Sequence, residues 1–220
     1  MTTPRPGAFL DPRLSGVAVL GEAEENSAVA RFDMVQELLP EALAALNQAH
    51  RARLVAPLAT SGGFPEFWGV ARDLAMAYVL ARDLAERFHP LAVRLAAARG
   101  EVRLTAPGGD LEQLEGSAFE TAGELLYRAR NEDRLLLIQG GDPRLDRMGN
   151  ATFQVLWRQM QTWTPRQCQV IRLYRAHGRQ KRVAEDLSVT QQTVSSSLAA
   201  AGWKVLAETE TAIDSVFRDG

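Results

Sequence analysis

Apolar and polar positions follow two rhythms along this chain, and the change between them falls near residue 139. Leu14 to Leu20 is a short, nearly continuous apolar run, the pattern of a buried strand. An acidic loop, Gly21 to Ser27, follows it. From Arg31 the repeat turns helical, with Phe32, Val35, Leu39, Leu43 and Leu46 on one face. Leu54 to Thr60 predicts a second strand. Ser61-Gly62-Gly63-Phe64-Pro65 breaks it, and Glu66-Phe67-Trp68 returns as a strand. Leu74, Tyr78, Ala81, Leu84 and Phe88 line a second helix, which His89-Pro90 stops because proline cannot continue it. Leu91 to Ala98 predicts a strand and Gly100 to Leu104 its partner. A loop over 105–117 precedes a third helix, carrying Phe119, Ala122, Leu126 and Ala129, and Arg134 to Ile138 is a last strand. Gly140-Gly141-Asp142-Pro143 marks a boundary. Everything beyond it has helical period.

The expected architecture is therefore α+β: an α/β domain over 1–139, a linker over 140–149 and an all-α domain over 150–220. In the last part, Asn150 caps a helix with Phe153, Trp157 and Met160 inward. Thr164-Pro165-Arg166-Gln167 opens the next, with threonine at N-cap, proline at N1 and glutamine at N3. It presents Gln167, Val170, Ile171 and Tyr174 on one face and ends at His177-Gly178. The following segment suits two short helices crossing at a sharp angle. Ala184 is small enough for close approach, and Val183, Leu187 and Val189 line the turn. Ser188 stands where such a turn usually has glycine. Thr190 caps the second helix, and Val194 and Leu198 turn it onto the core. A last amphipathic helix carries Trp203, Leu206, Ile213 and Phe217. It packs back on the first domain or pairs with a second copy.

That arrangement leaves Gln191, Gln192, Ser195 and Ser196 facing outward, uncharged side chains of the kind that read base edges in a major groove. Arg179, Lys181 and Arg182 flank them where phosphate contacts are made. Arg166, Thr190, Thr193 and Lys204 complete the candidate DNA-binding set.

Charge distribution bears on this. The net charge of the 220-residue chain is −2, but 150–220 carries nine basic and six acidic groups, against sixteen and twenty-one in 1–149. The stretch 158–182 holds seven basic side chains and no acidic one. Such a block points to a polyanion partner at one end, or to a solvated helical face.

The remaining chemistry is sparse. One cysteine, Cys168, excludes a disulfide framework and a multi-thiolate zinc site. It lies beside an apolar helical face with no histidine near in sequence, and reads as a core thiol. His50, at the end of the first helix, is expected to meet that helix's C-terminus, not a metal. The Glu22/Glu24/Glu25 cluster reads as a solvated loop. Trp157, Trp163 and Trp203 read as core anchors. No apolar run is long enough to span a bilayer, and the N-terminus lacks the apolar region of a secretory signal. These features lead to the expectation of a cytoplasmic protein without membrane, metal or cofactor.

Two resemblances follow. Trp163–Ala201 resembles the helix–turn–helix end of LuxR-type regulators and of sigma-factor region 4. Over most of residues 14–204 the chain resembles the SatD family of bacterial proteins. The matching motifs are Leu95-Ala-Ala-Ala-Arg99-Gly100-Glu101, Glu115-Gly116-Ser117-Ala118-Phe119-Glu120-Thr121-Ala122, and Thr193-Val194-Ser195 through Ala201-Gly202-Trp203. The first half is similar to the ferredoxin-like palm of nucleotide cyclases and GGDEF domains. This implies a ferredoxin-like domain followed by a helix–turn–helix. Palm chemistry needs two carboxylates at neighbouring strand ends to hold divalent metal. Glu22 supplies the first, but Gly62-Gly63-Phe64-Pro65-Glu66 has no aspartate for the second. The expected function is a homodimeric regulator of double-stranded DNA, without enzyme activity, whose degenerate palm senses a small molecule or nucleotide or mediates assembly. The alternatives are a metal-dependent nucleotide-processing enzyme with an accessory helix–turn–helix, and a protein–protein interaction module.

Overall fold

The computed structural model describes residues 14–23, 32–60, 66–89, 91–104 and 114–218. The expected loop at 61–65 lies outside them, as do 24–27 and 105–113 of the loops expected at 21–27 and 105–117. The described ends of those two loops are instead the end of a strand at Ala23, a short strand at Leu114–Glu115 and a helix start at Ser117. The architecture is α+β. A six-stranded sheet is built from β1 (Leu14–Ala23), β2 (Leu54–Thr60), β3 (Glu66–Ala71), β4 (Val93–Leu104), β5 (Leu114–Glu115) and β6 (Leu136–Gln139), in the order β2-β3-β1-β4-β5 with β6 on β4. All pairs are antiparallel except β4–β6. The helices are α1 (Phe32–Ala49), α2 (Leu74–Phe88), α3 (Ser117–Asn131), α4 (Pro143–Gln161), α5 (Pro165–His177), α6 (Gln180–Asp186), α7 (Gln191–Ala200) and α8 (Trp203–Arg218).

The run in β1 is continuous because both of its faces are covered. Val17 and Val19 join the cluster that includes α1 and α2, while Ala18 joins the one under α3. In β4, Val93, Leu95 and Ala97 face α2, whereas Ala96, Ala98 and Val102 face α3. The α3 side is rich in alanine, with Ala118, Ala122 and Ala129 completely buried in one cluster with the strand alanines and with Leu125, Leu126 and Leu137.

The expected strand pair at 91–104 is one continuous strand, β4. Its apparent break at Gly100 is a packing requirement. A Cβ there would stand 2.9 Å from Ser117 Oγ and 3.0 Å from the Ala118 nitrogen. Gly116, at φ 129°, could not hold a Cβ at all, since it would meet Glu101 O at 2.2 Å. Both glycines let α3 begin directly on β4, where Ser117 Oγ accepts from the Glu101 N–H at 3.2 Å.

Most of the segment expected as a linker over 140–149 is helical, as part of α4. Asp142 and Pro143 start α4, with the Asp142 carboxylate accepting from the Arg144 and Leu145 N–H groups. Asn150 is not a cap. It lies inside α4, accepts from Ile138 N at 2.8 Å and donates to Ile138 O at 3.0 Å, thereby closing the free edge of β6. Asn47 of α1 does the same for β2 at the opposite edge, through Leu58 N and Leu58 O. Gly149 lets α4 approach closely, because a Cβ would stand 2.6 Å from Phe217.

One apolar cluster runs from the sheet into the helical end. Tyr78 of α2 stacks on Phe153 of α4, whose ring meets Phe217 of α8. The last helix thus packs back on α2. No helix among the described residues is long and apolar enough to cross a membrane.

Candidate nucleic-acid interface

Local signals form α5, α6 and α7 as the sequence predicts. Thr164 accepts from Gln167 N and Gln167 Oε1 accepts from Thr164 N, a reciprocal capping box. Gly178 closes α5 at φ 65°. Thr190 caps α7 by accepting from Thr193 N at 3.1 Å, and the two hydroxyls also bond at 2.8 Å. Ser188 takes the left-handed conformation, φ 51°, that glycine adopts without strain. The turn backbone is still satisfied, with Ser188 N donating to Glu185 O and Val189 N to Ala184 O.

Val183, Ala184, Val194, Leu198 and Ala201 fill the space between these helices against Val170 and Ile171. Trp163 is buried and donates to Ala201 O at 3.1 Å, anchoring the end of α7 beneath the start of α5.

Every residue of the candidate set (Arg166, Arg179, Lys181, Arg182, Thr190, Gln191, Gln192, Thr193, Ser195, Ser196, Lys204) is exposed. An open groove of about 580 Å³ brings Arg166 together with Thr190, Gln192, Thr193 and Ser196. Gln191 and Ser195 share the exposed surface of α7 but lie outside that groove. Arg179, Lys181 and Arg182 gather at the start of α6, and Lys204 opens α8 beyond the far end of α7.

The basic run divides once its partners are counted. Arg158 pairs with Asp133 at 3.0 Å, and Arg182 with Asp186 at 3.2 Å. Arg175 points inward, its Nε 2.8 Å from Glu86 and its terminal nitrogens 2.5 and 2.7 Å from Glu210, with the guanidinium over the Trp203 ring. Among the described residues, Arg166, Arg172, Arg179, Lys181 and Lys204 form no ion pair. These are the cations available to an external polyanion.

Arg175 belongs to an internal network joining α2, α5 and α8. Tyr78 Oη donates to Glu210 at 3.0 Å, and Arg82 reaches Glu210 and Asp83. Burial pushes the Glu86 carboxyl up to about 7, against the opposing pull of Arg175 and Arg82. Burial works against charge on Arg175 as well, but Glu86 and Glu210 outweigh it and raise its pKa. Cys168 is buried, its thiol directed to Glu86 O and pushed up to about 11 by burial, which keeps it protonated and unreactive. His50 does not serve its own helix terminus. Its ring meets Asp83 at 3.1 Å.

The sheet holds a second polar site that sequence spacing concealed. Glu22 is 6% exposed and stands directly opposite Glu66 in the β1–β3 register. Two carboxylates therefore do face each other at neighbouring strand ends. Arg130 of α3 grips Glu22 through Nε at 3.0 Å and through Nη2. Trp68, Tyr127 and Arg130 help line a cavity of about 300 Å³ there. Among the described residues no group of three or more His, Cys, Asp or Glu side chains is arranged to hold a metal ion. No family model matches the chain, and no curated protein matches it.

Proposed function

We propose that the chain is a sequence-specific double-stranded-DNA-binding protein acting as a transcription regulator, with α5–α7 as a helix–turn–helix and α7 as its recognition helix. The carrying observation is the exposed face of α7. Gln191, Gln192, Ser195 and Ser196 make no side-chain hydrogen bond among the described residues and have no core duty, while Arg166, Arg179 and Lys181 beside them have no acidic partner. Selection from a random-sequence duplex pool tests the reading. A recurrent motif is expected from the full chain, and recovery of sequences at random contradicts it.

The strand order β2-β3-β1-β4, with α1 and α2 as connections, supports a ferredoxin-like reading of the first part, in line with the SatD resemblance. We read it as a palm that senses or assembles. A cavity of about 540 Å³ among α2, α5 and α8 has the rings of Tyr78, Tyr174 and Trp203 to suit a planar effector, while Arg82 and Arg175 in its wall are already paired with Glu210, which also lines it. ATP and GTP are the first ligands to try by thermal shift.

A homodimer belongs to the same reading. Met148 and Val155 on α4, with Val205 and Val216 on α8, are exposed and flank an apolar groove of about 460 Å³. Arg144 and Arg147 are exposed on α4, and Glu208 lines the groove from α8. A two-fold partner that sets its α8 across α4 pairs unlike charges twice. Val155→Glu with Val205→Glu is expected to shift sedimentation from dimer to monomer; a monomeric wild type contradicts the dimer.

The facing Glu22 and Glu66 favour one rival, a metal-dependent nucleotide enzyme. The ion pair with Arg130 already neutralises Glu22, so turnover of ATP or GTP with magnesium or manganese is expected to be absent. Product formation abolished by Glu22→Ala would establish the rival.

A further inference from the structure

The groove between α5 and α7 does not end the basic surface. Arg166 lines that groove and also a second concave surface of about 360 Å³, together with Arg172 of α5 and with Arg87 and His89 at the end of α2. Arg87 and Arg172 are exposed, and neither forms an ion pair among the described residues. The carboxylate that shares the surface, Glu86, is 4% exposed and turned to Arg175. The charge offered to solvent is therefore positive throughout, and Arg166 joins the two surfaces into one track.

We infer that the α/β part itself contacts DNA, through Arg87 and His89 on the end of α2, which with Arg172 hold duplex phosphates beyond the segment read by α7. This rests on the DNA-binding reading above. Its physical basis is the contact between α2 and α5: Cys168 lies against Glu86 O, and Arg175 is bonded to the Glu86 carboxyl, so Arg87 is held in fixed relation to Arg166 and Arg172. Phosphate contacts fix register and add affinity without reading sequence. Arg87 and Arg172 should thus contribute salt-dependent affinity and no base preference.

The test uses the full chain and a duplex of about 30 base pairs, with Arg87→Gln, Arg172→Gln and the double variant titrated at several salt concentrations. Each lost phosphate contact lowers the magnitude of the log K against log salt slope by about 0.9. The expected result is two such steps in the double variant, with the selected motif and the melting temperature unchanged. A wild-type slope in the double variant, while Arg166→Gln still lowers it, overturns this inference and leaves the DNA-binding reading standing. A wild type that binds no duplex at low salt overturns both. An altered motif assigns these arginines to base contacts and likewise overturns the inference.

Discussion

Two sets of arginines in this molecule have opposite fates. Arg82, Arg130 and Arg175 are committed to carboxylates on other elements, and those carboxylates, Glu22, Glu86 and Glu210, are buried or nearly so. Arg166, Arg172 and Arg179 sit in the same half of the chain as Arg175, yet reach solvent without an acidic partner among the described residues. A count of charge over 158–182 treats them alike. Only packing separates a cation that holds the fold together from one left for a ligand.

Removing one member from each set breaks the comparison most sharply. Arg175→Ala strands the buried Glu86 and leaves Glu210 with only Tyr78 and Arg82, and losing one partner of a buried pair costs about 3–5 kcal/mol. Arg172→Ala removes an exposed side chain that forms no ion pair or hydrogen bond among the described residues and should stay within about 0.5 kcal/mol. Urea unfolding of the two variants checks this, and equal midpoints would dissolve the distinction.

A smaller effect concerns base reading. Gln192→Ala should cost about 1–3 kcal/mol of discrimination at one base position and leave the salt slope intact. Binding to the selected motif and to a scrambled duplex, measured side by side, shows whether the difference shrinks. Unfolding of the variant would instead make Gln192 structural.

The internal set has its own signature in pH. Glu86 titrates near 7 in the folded chain and near 4.5 when unfolded, so the folded state holds its proton more tightly. Stability from this group is present below about pH 4.5 and is lost as pH rises through 7. Glu86→Gln should flatten the wild type's decline in urea midpoint between those values. A parallel decline in the variant would remove Glu86 as the cause.

The smallest expected effect lies in the turn. Ser188 holds a left-handed conformation, and Ser188→Gly should relieve strain of about 1 kcal/mol, seen as a raised melting temperature. A lowered melting temperature would mean that the serine hydroxyl contributes more than its backbone costs.

The helical end was legible because its signals are local. Thr164-Pro165-Arg166-Gln167 specifies a capping box within four residues, and Thr190 caps α7 without distant help. What sequence reading missed depends on contacts between distant segments. Asn150 has the side chain of a cap but serves the edge of β6, and the true cap, Asp142 before Pro143, resembled a boundary. Gly100 looked like the end of a strand because the helix start that needs it lies sixteen residues on, at Gly116-Ser117. Glu22 gave no hint of Arg130, 108 positions away, and its register opposite Glu66 follows from strand pairing that spacing alone does not fix.

The central claim is that the unpaired cations beside α7 meet duplex DNA. Its most direct test is anisotropy of a labelled duplex across a salt series, comparing wild type with Arg166→Gln/Arg179→Gln/Lys181→Gln. The wild type should bind with a steep negative slope, and the triple variant should lose about 0.9 of that slope per phosphate contact, for all sequences alike, at unchanged melting temperature. An unaltered slope and affinity in the triple variant would contradict the account.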